Sequence, residues 1–111
     1  MTLAIEPLVA GDGGEGAAHA LRGPLSFTTA AAAHALGIRL LSRPDVAAAA
    51  GRDGLVLDAA GVTAADSAGL AVLLDWRREA LRRGIRLRYR NLPESLQRLA
   101  RISSVESLLT G

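Results

Sequence analysis

An α/β fold built on a mostly parallel sheet is what this sequence predicts, and three observations carry that expectation. The stretch from Gly54 opens with Leu55-Val56-Leu57, a short apolar run bounded by Gly54 and Asp58, which reads as a buried strand. Asp66-Ser67-Ala68-Gly69 then precedes Leu70, Val72, Leu73 and Leu74, and a polar residue just before an apolar-periodic run marks a helix start. Farther on, Ile85, Leu87 and Tyr89 alternate with Arg86, Arg88 and Arg90, the period-two pattern of a strand with one buried and one solvated face. Strands alternating with helices favour parallel pairing. The expected architecture is a sheet of four to five strands, with an N-terminal hairpin and about four helices packed on it.

Each element has its own signal. Leu3, Ile5 and Leu8-Val9 suggest a first strand, and Pro7 places it at an edge because proline cannot donate to a ladder. The glycine-rich segment from Gly11 to Gly16 reads as a loop. Ala18, Ala20 and Leu21 form a short second strand ending at Arg22-Gly23, so the two strands read as a hairpin. Pro24 to Thr29 leads into a helix over Ala30 to Leu41, capped by Thr28 or Thr29, with Gly37 as a weak point and Ser42-Arg43-Pro44-Asp45 as its stop. The alanine run Ala47 to Ala50 reads as a loop carrying some helix. Ala59 to Ala65 reads as a connection between the central strand and the central helix. Gly84 ends that helix as a left-handed cap. Asn91-Leu92-Pro93 is a turn, with Pro93 suited to the first position of a helix holding Leu96, Leu99 and Ala100. Ser103 or Ser104 starts a last short helix with Val105, Leu108 and Leu109. The predicted order is ββαβαβα plus a terminal helical turn.

Composition bounds the function. A chain of 111 residues, half of them hydrophobic, is expected to form one domain over residues 1–111 and to bury about 65% of its unfolded surface. The sequence has no cysteine, which excludes disulfides, thiolate catalysis and cysteine-ligated metals. All 13 Lys/Arg positions are arginine, which excludes a Walker A phosphate loop and a Schiff-base lysine. The net charge is only +2, and no metal-ligand or cofactor signature stands out. His19 and His34 lack ligand-like spacing and read as chance placements. The first residues, MTLAIEPLVAG, lack a basic region followed by a sustained apolar core, so no signal peptide is expected. No apolar run is long enough to span a bilayer. The expected setting is the cytoplasm.

Two surface features bear on partners. At about 100° per residue, Leu70, Leu73, Leu74 and Leu81 share one sector of the central helix, the predicted core face. Val72 and Trp76 fall nearly opposite, beside Glu79 and Arg83. Trp76 is then either packed under a loop or an exposed aromatic anchor for a partner, since tryptophan is enriched at binding hot spots. The second feature is the basic cluster from Arg77 to Arg90. It reads first as a solvated face, with Asp75 and Glu79 offering i,i+3 and i,i+4 partners. Nucleic-acid binding would want interleaved aromatics for stacking, and only Tyr89 is available, so an acidic protein partner fits better than RNA or DNA.

The stretch from Leu55 to Pro93 resembles the core of a STAS domain, the module shared by bacterial anti-sigma-factor antagonists and sulfate-transporter tails. The residues that carry the resemblance are the strand ending in Asp58, the Gly61-Val62 pair, Asp66-Ser67-Ala68-Gly69-Leu70, and Gly84 followed by an alternating strand. Upstream, Leu21 to Ala30 is similar to the second strand and helix start of the MlaB-like branch, whose members are cytoplasmic subunits of Mla phospholipid ABC transporters. The tail from Leu96 to Val105 is similar to that branch as well. Two departures occur: Ala64-Ala65 stands where a bulkier apolar pair is usual, and Ala68 where many sigma-pathway members carry a second serine.

The resemblance implies a protein-binding module with no cofactor and no metal. It places partner contacts at Asp66, Ser67, Ala68 and Gly69, to which the helix analysis adds Val72 and Trp76. The first expected partner is the ATPase subunit of a phospholipid-transport ABC system, with the chain peripheral to a membrane complex. The alternative is an anti-sigma-factor antagonist switched by phosphorylation of Ser67, with an anti-sigma kinase as partner. A hydrolase using Ser67 would want a G-x-S-x-G elbow, which the sequence lacks, so no enzyme is expected.

Overall fold

The computed structural model describes residues 2–8 and 17–110. The glycine-rich loop expected over residues 11–16, and Val9 of the expected first strand, lie outside the described residues. Four strands appear among those described: β1 (Ala4–Pro7), β2 (Ala17–Leu25), β3 (Leu55–Ala65) and β4 (Leu87–Arg90). They lie in the order β1-β2-β3-β4, with β1 antiparallel to β2 and the other pairs parallel. Five helices lie among the described residues: α1 (Ala30–Leu41), α2 (Pro44–Asp53), α3 (Ser67–Arg82), α4 (Glu94–Ile102) and α5 (Glu106–Thr110). The α/β architecture, the mostly parallel sheet and the hairpin are as predicted.

Alternation along the strands divides the sheet into two faces. Leu55, Leu57 and Ala59 are buried with Leu87, which pairs with Leu55, whereas Val56 and Asp58 are only half-buried and their partners Arg88 and Arg90 are exposed. The solvated face carries a polar cluster in which Asp58 accepts from Arg90 Nε at 3.2 Å and from the Asn91 side chain. The covered face meets α1 and α3, which also pack against each other. His19 lies beside Leu57 on that face, buried, and burial together with nearby Arg43 pushes its imidazole pKa down.

Four local expectations are corrected. Ala59 to Ala65 is not a connection but the second half of β3, because β2 also runs on to Leu25 and offers it a partner edge. Gly61 sits opposite Arg22, where a Cβ would press on the Leu21 carbonyl, and the register shifts flank Arg22 and Pro24. The strand therefore passes through glycine and proline positions that read locally as a break. The alanine run is helix, with Pro44 at its start and Val46 and Ala50 buried at i,i+4 spacing. Thr29 precedes α1 without capping it: its hydroxyl donates to the Pro24 carbonyl at 2.9 Å and accepts from the Ser26 N–H at 3.0 Å, closing the turn before the helix. The last helix begins at Glu106, and Ser103 and Ser104 lie in the turn before it.

A fifth correction concerns α3 and matters most for the site. Leu70 and Leu73 are buried as expected, but Leu74 is half-buried and Leu81 is 68% exposed. Val72 and Trp76, the expected outer side, are buried. The helix is rotated because α1 lies alongside it. Gly37 of α1 has no side chain, and a Cβ there would overlap the Trp76 indole. The indole fills that space and donates its N–H to the His34 carbonyl at 3.2 Å. The weak point of α1 is thus the slot that receives Trp76. At its C-terminus α3 closes as predicted: Gly84 has φ +72°, Gly84 N–H donates to Leu81 O, and Ile85 N–H donates to Ala80 O at 2.8 Å. That pair of bonds is a Schellman motif.

Candidate functional site

The junction between β3 and α3 is a corner built by Asp66. Its extended backbone ends the strand, and its side chain opens the helix. One carboxylate oxygen accepts the Gly69 N–H at 3.1 Å, satisfying a first-turn donor that has no partner inside the helix. The other oxygen accepts the Phe27 N–H at 2.9 Å, from the turn between β2 and α1. These bonds, Phe27 first and Gly69 second, hold the Asp66 carboxyl below the usual carboxylate range. The ionised form is thus favoured in the folded state. Its stabilising effect is present above the unfolded value, near pH 4, and is lost as pH falls through the lower folded value.

Around this bracket the six predicted contact residues separate. Ser67 is exposed at the first position of α3, and Ala68 beside it is half-buried. Asp66 is half-buried, with its carboxylate used by the fold. Gly69 is buried under Leu25 of β2, so its missing side chain admits the chain's own backbone and not a partner's. Val72 and Trp76 belong to the core, which removes the exposed-anchor reading of Trp76. The structure brings forward a different aromatic. Phe27 is 80% exposed, and its backbone is tied to the same carboxylate that caps α3. The only sequence signal for it was an aromatic side chain in a Ser/Thr-rich turn, too weak to assign a contact.

The close approach of Gly69 to β2 gives a test of the corner. Intrinsic preference favours alanine over glycine within a helix. Here an added Cβ would overlap the Leu25 carbonyl oxygen, a backbone atom that cannot swing aside. Gly69→Ala is therefore expected to destabilise by about 1–3 kcal/mol, read by urea unfolding. A neutral or stabilising result would show that α3 does not press on β2 as described.

The comparisons with known proteins agree with this fold. The family model described as "Mlab, STAS domain" matches residues 19–110. The chain belongs to the STAS family. The solved structure of SLC26A9 is similar in fold, with a TM-score of 0.64 at 15% identity, over 84% of this chain and 16% of that one. This STAS domain thus spans a small part of that protein's length. No curated protein sequence matches the chain. Among the described residues of this STAS domain no helix is long and apolar enough to cross a membrane. Nor is any group of three or more His, Asp or Glu side chains among them placed to hold a metal ion.

Proposed function

We propose that this STAS domain is a non-enzymatic binding subunit that docks on the ATPase of a phospholipid-transport ABC system, with Ser67 at the contact. The observation that carries the reading is the corner itself. A small exposed hydroxyl stands at the start of α3, and the neighbouring Asp66 carboxylate ties down the backbone of Phe27, whose ring the fold leaves in solvent. The match to the MlaB-type family model supports the choice of partner. The working location is the cytoplasmic side of a membrane complex, without insertion into the bilayer.

The alternative is an anti-sigma-factor antagonist switched by phosphate on Ser67. Exposure of Ser67 favours it, but the donors around the helix start do not. A phosphate would want free first-turn N–H groups, and Gly69 N–H already serves the Asp66 carboxylate. Phosphate at Ser67 would also add about −2 charge beside an ionised aspartate, which is repulsive. The transporter reading needs only the hydroxyl.

Ser67→Glu separates binding from folding. The residue is exposed at a helix N-terminus, where a carboxylate is tolerated, so the variant should melt close to wild type. A partner surface shaped around a hydroxyl would have to desolvate the new charge, and affinity for the ATPase should fall by well over about tenfold. Phe27→Ala should act in the same direction, weakening binding by about 2 kcal/mol or more with the fold intact. Pull-down and titration against the purified ATPase read both. Wild-type affinity in Ser67→Glu would remove this corner as the contact.

A further inference from the structure

The rotation of α3 leaves apolar residues on the side away from the core. Ala71, Leu74, Arg78 and Leu81 follow one another at helical spacing along that side, about 15 Å from end to end at 1.5 Å per residue. Leu108 of α5 forms a second wall, and together they line an open groove of about 750 Å³. Leu81 is 68% and Leu108 52% exposed, two of the four large hydrophobic side chains left in solvent among the described residues.

The charge of the rim says what would cover it. Arg77, Arg78 and Arg82 border the groove against a single carboxylate, Asp75. A second copy of this chain would bring arginines against arginines. The pairs Arg78–Asp75 at 2.6 Å and Arg82–Glu79 at 2.7 Å lie at the surface, where such pairs contribute little. Each guanidinium keeps further N–H donors for an incoming carboxylate. The shape is an open groove running about three turns along α3, with Leu108 of the short α5 as its other wall, and such a groove suits one helix better than a flat bilayer.

We propose that this groove docks an acidic amphipathic helix from a partner protein. Its apolar stripe lies on Leu74, Leu81 and Leu108, and its carboxylates meet Arg78 and Arg82. The proposal rests on the reading that the domain acts by binding protein, but it does not use the Ser67 contact. It also gives the arginine cluster of α3 a role beyond solvation.

The test uses the full chain and a fluorescein-labelled synthetic helix of about five turns, with leucines at i, i+3, i+4 and i+7 spacing and glutamates elsewhere. Anisotropy should show micromolar binding, at least about tenfold tighter than for the same peptide with lysines replacing the glutamates. Leu81→Asp and Arg78→Glu alter exposed side chains and should melt like wild type while losing at least about tenfold in affinity. Ser67→Glu should bind the peptide as wild type does, which separates failure here from failure of the ATPase contact. The proposal is overturned by equal binding of both peptides, by indifference to Leu81→Asp, or by loss of peptide binding in Ser67→Glu. Binding to phosphatidylglycerol vesicles that Leu81→Asp abolishes would assign the face to a membrane instead. A Leu81-dependent dimer in sedimentation would assign it to a second copy, and either outcome overturns the proposal.

Discussion

Replacing Trp76 with alanine is expected to lower the stability of the domain by about 3–5 kcal/mol. The side chain is fully buried, and it is the largest in the core. Its removal would leave a hole between α1 and α3, because Gly37 has no side chain to fill the slot. It would also remove the indole N–H bond to the His34 carbonyl. Small domains are ordinarily stable by about 5–15 kcal/mol, so the variant should sit near the edge of unfolding at room temperature. Urea denaturation measures the loss. A fall of less than about 1 kcal/mol, accompanied by weakened partner binding, would return Trp76 to the surface and overturn the helix rotation described above.

Two adjacent leucines should respond very differently. Leu73→Ala is expected to cost about 2–5 kcal/mol. Leu73 is fully buried on the side of α3 that faces the core, and its carbonyl accepts the Tyr89 hydroxyl at 2.6 Å. Burial pushes the Tyr89 phenol pKa up, so the hydroxyl stays a donor to that carbonyl at any ordinary pH. Leu74 is half-buried and faces the groove, so Leu74→Ala should cost about 1 kcal/mol or less, in proportion to the smaller area it withdraws from water. Equal losses in the two variants would mean that the helix is turned by about half a residue's 100° step from the description here. The pair also ties stability to function. The same rotation that buries Leu73 exposes the stripe on which a partner helix is proposed to lie.

The sites legible in the sequence were those defined by local chemistry. Asp66 announced a helix start because a carboxylate before an apolar-periodic run satisfies free N–H groups, and the structure shows it doing so. Gly84 announced a helix end through its freedom to take positive φ, and it has φ +72°. The exposure of Phe27, Leu81 and Leu108, on which the proposed contacts rest, was not legible, because exposure is a property of what the fold leaves uncovered. Trp76 was read two ways because helical spacing gives relative directions on a wheel and not the absolute one. The alanine helix was missed because its weak amphipathic signal, Val46 and Ala50, gains meaning only when a surface is present to bury them.

By itself, then, the sequence determined the alternation of strands and helices apart from α2, the hairpin, and the caps of α3. Those follow from period, turn chemistry and capping, each acting over a few residues. Only the tertiary structure decided which side of α3 faces inward. That choice depends on α1 lying alongside, with Gly37 opening a slot that an indole can fill. The helix carries apolar residues nearly all round, so either side could have been buried. The side bearing the tryptophan went inward because a matching gap 39 residues upstream allowed the larger apolar area to leave water.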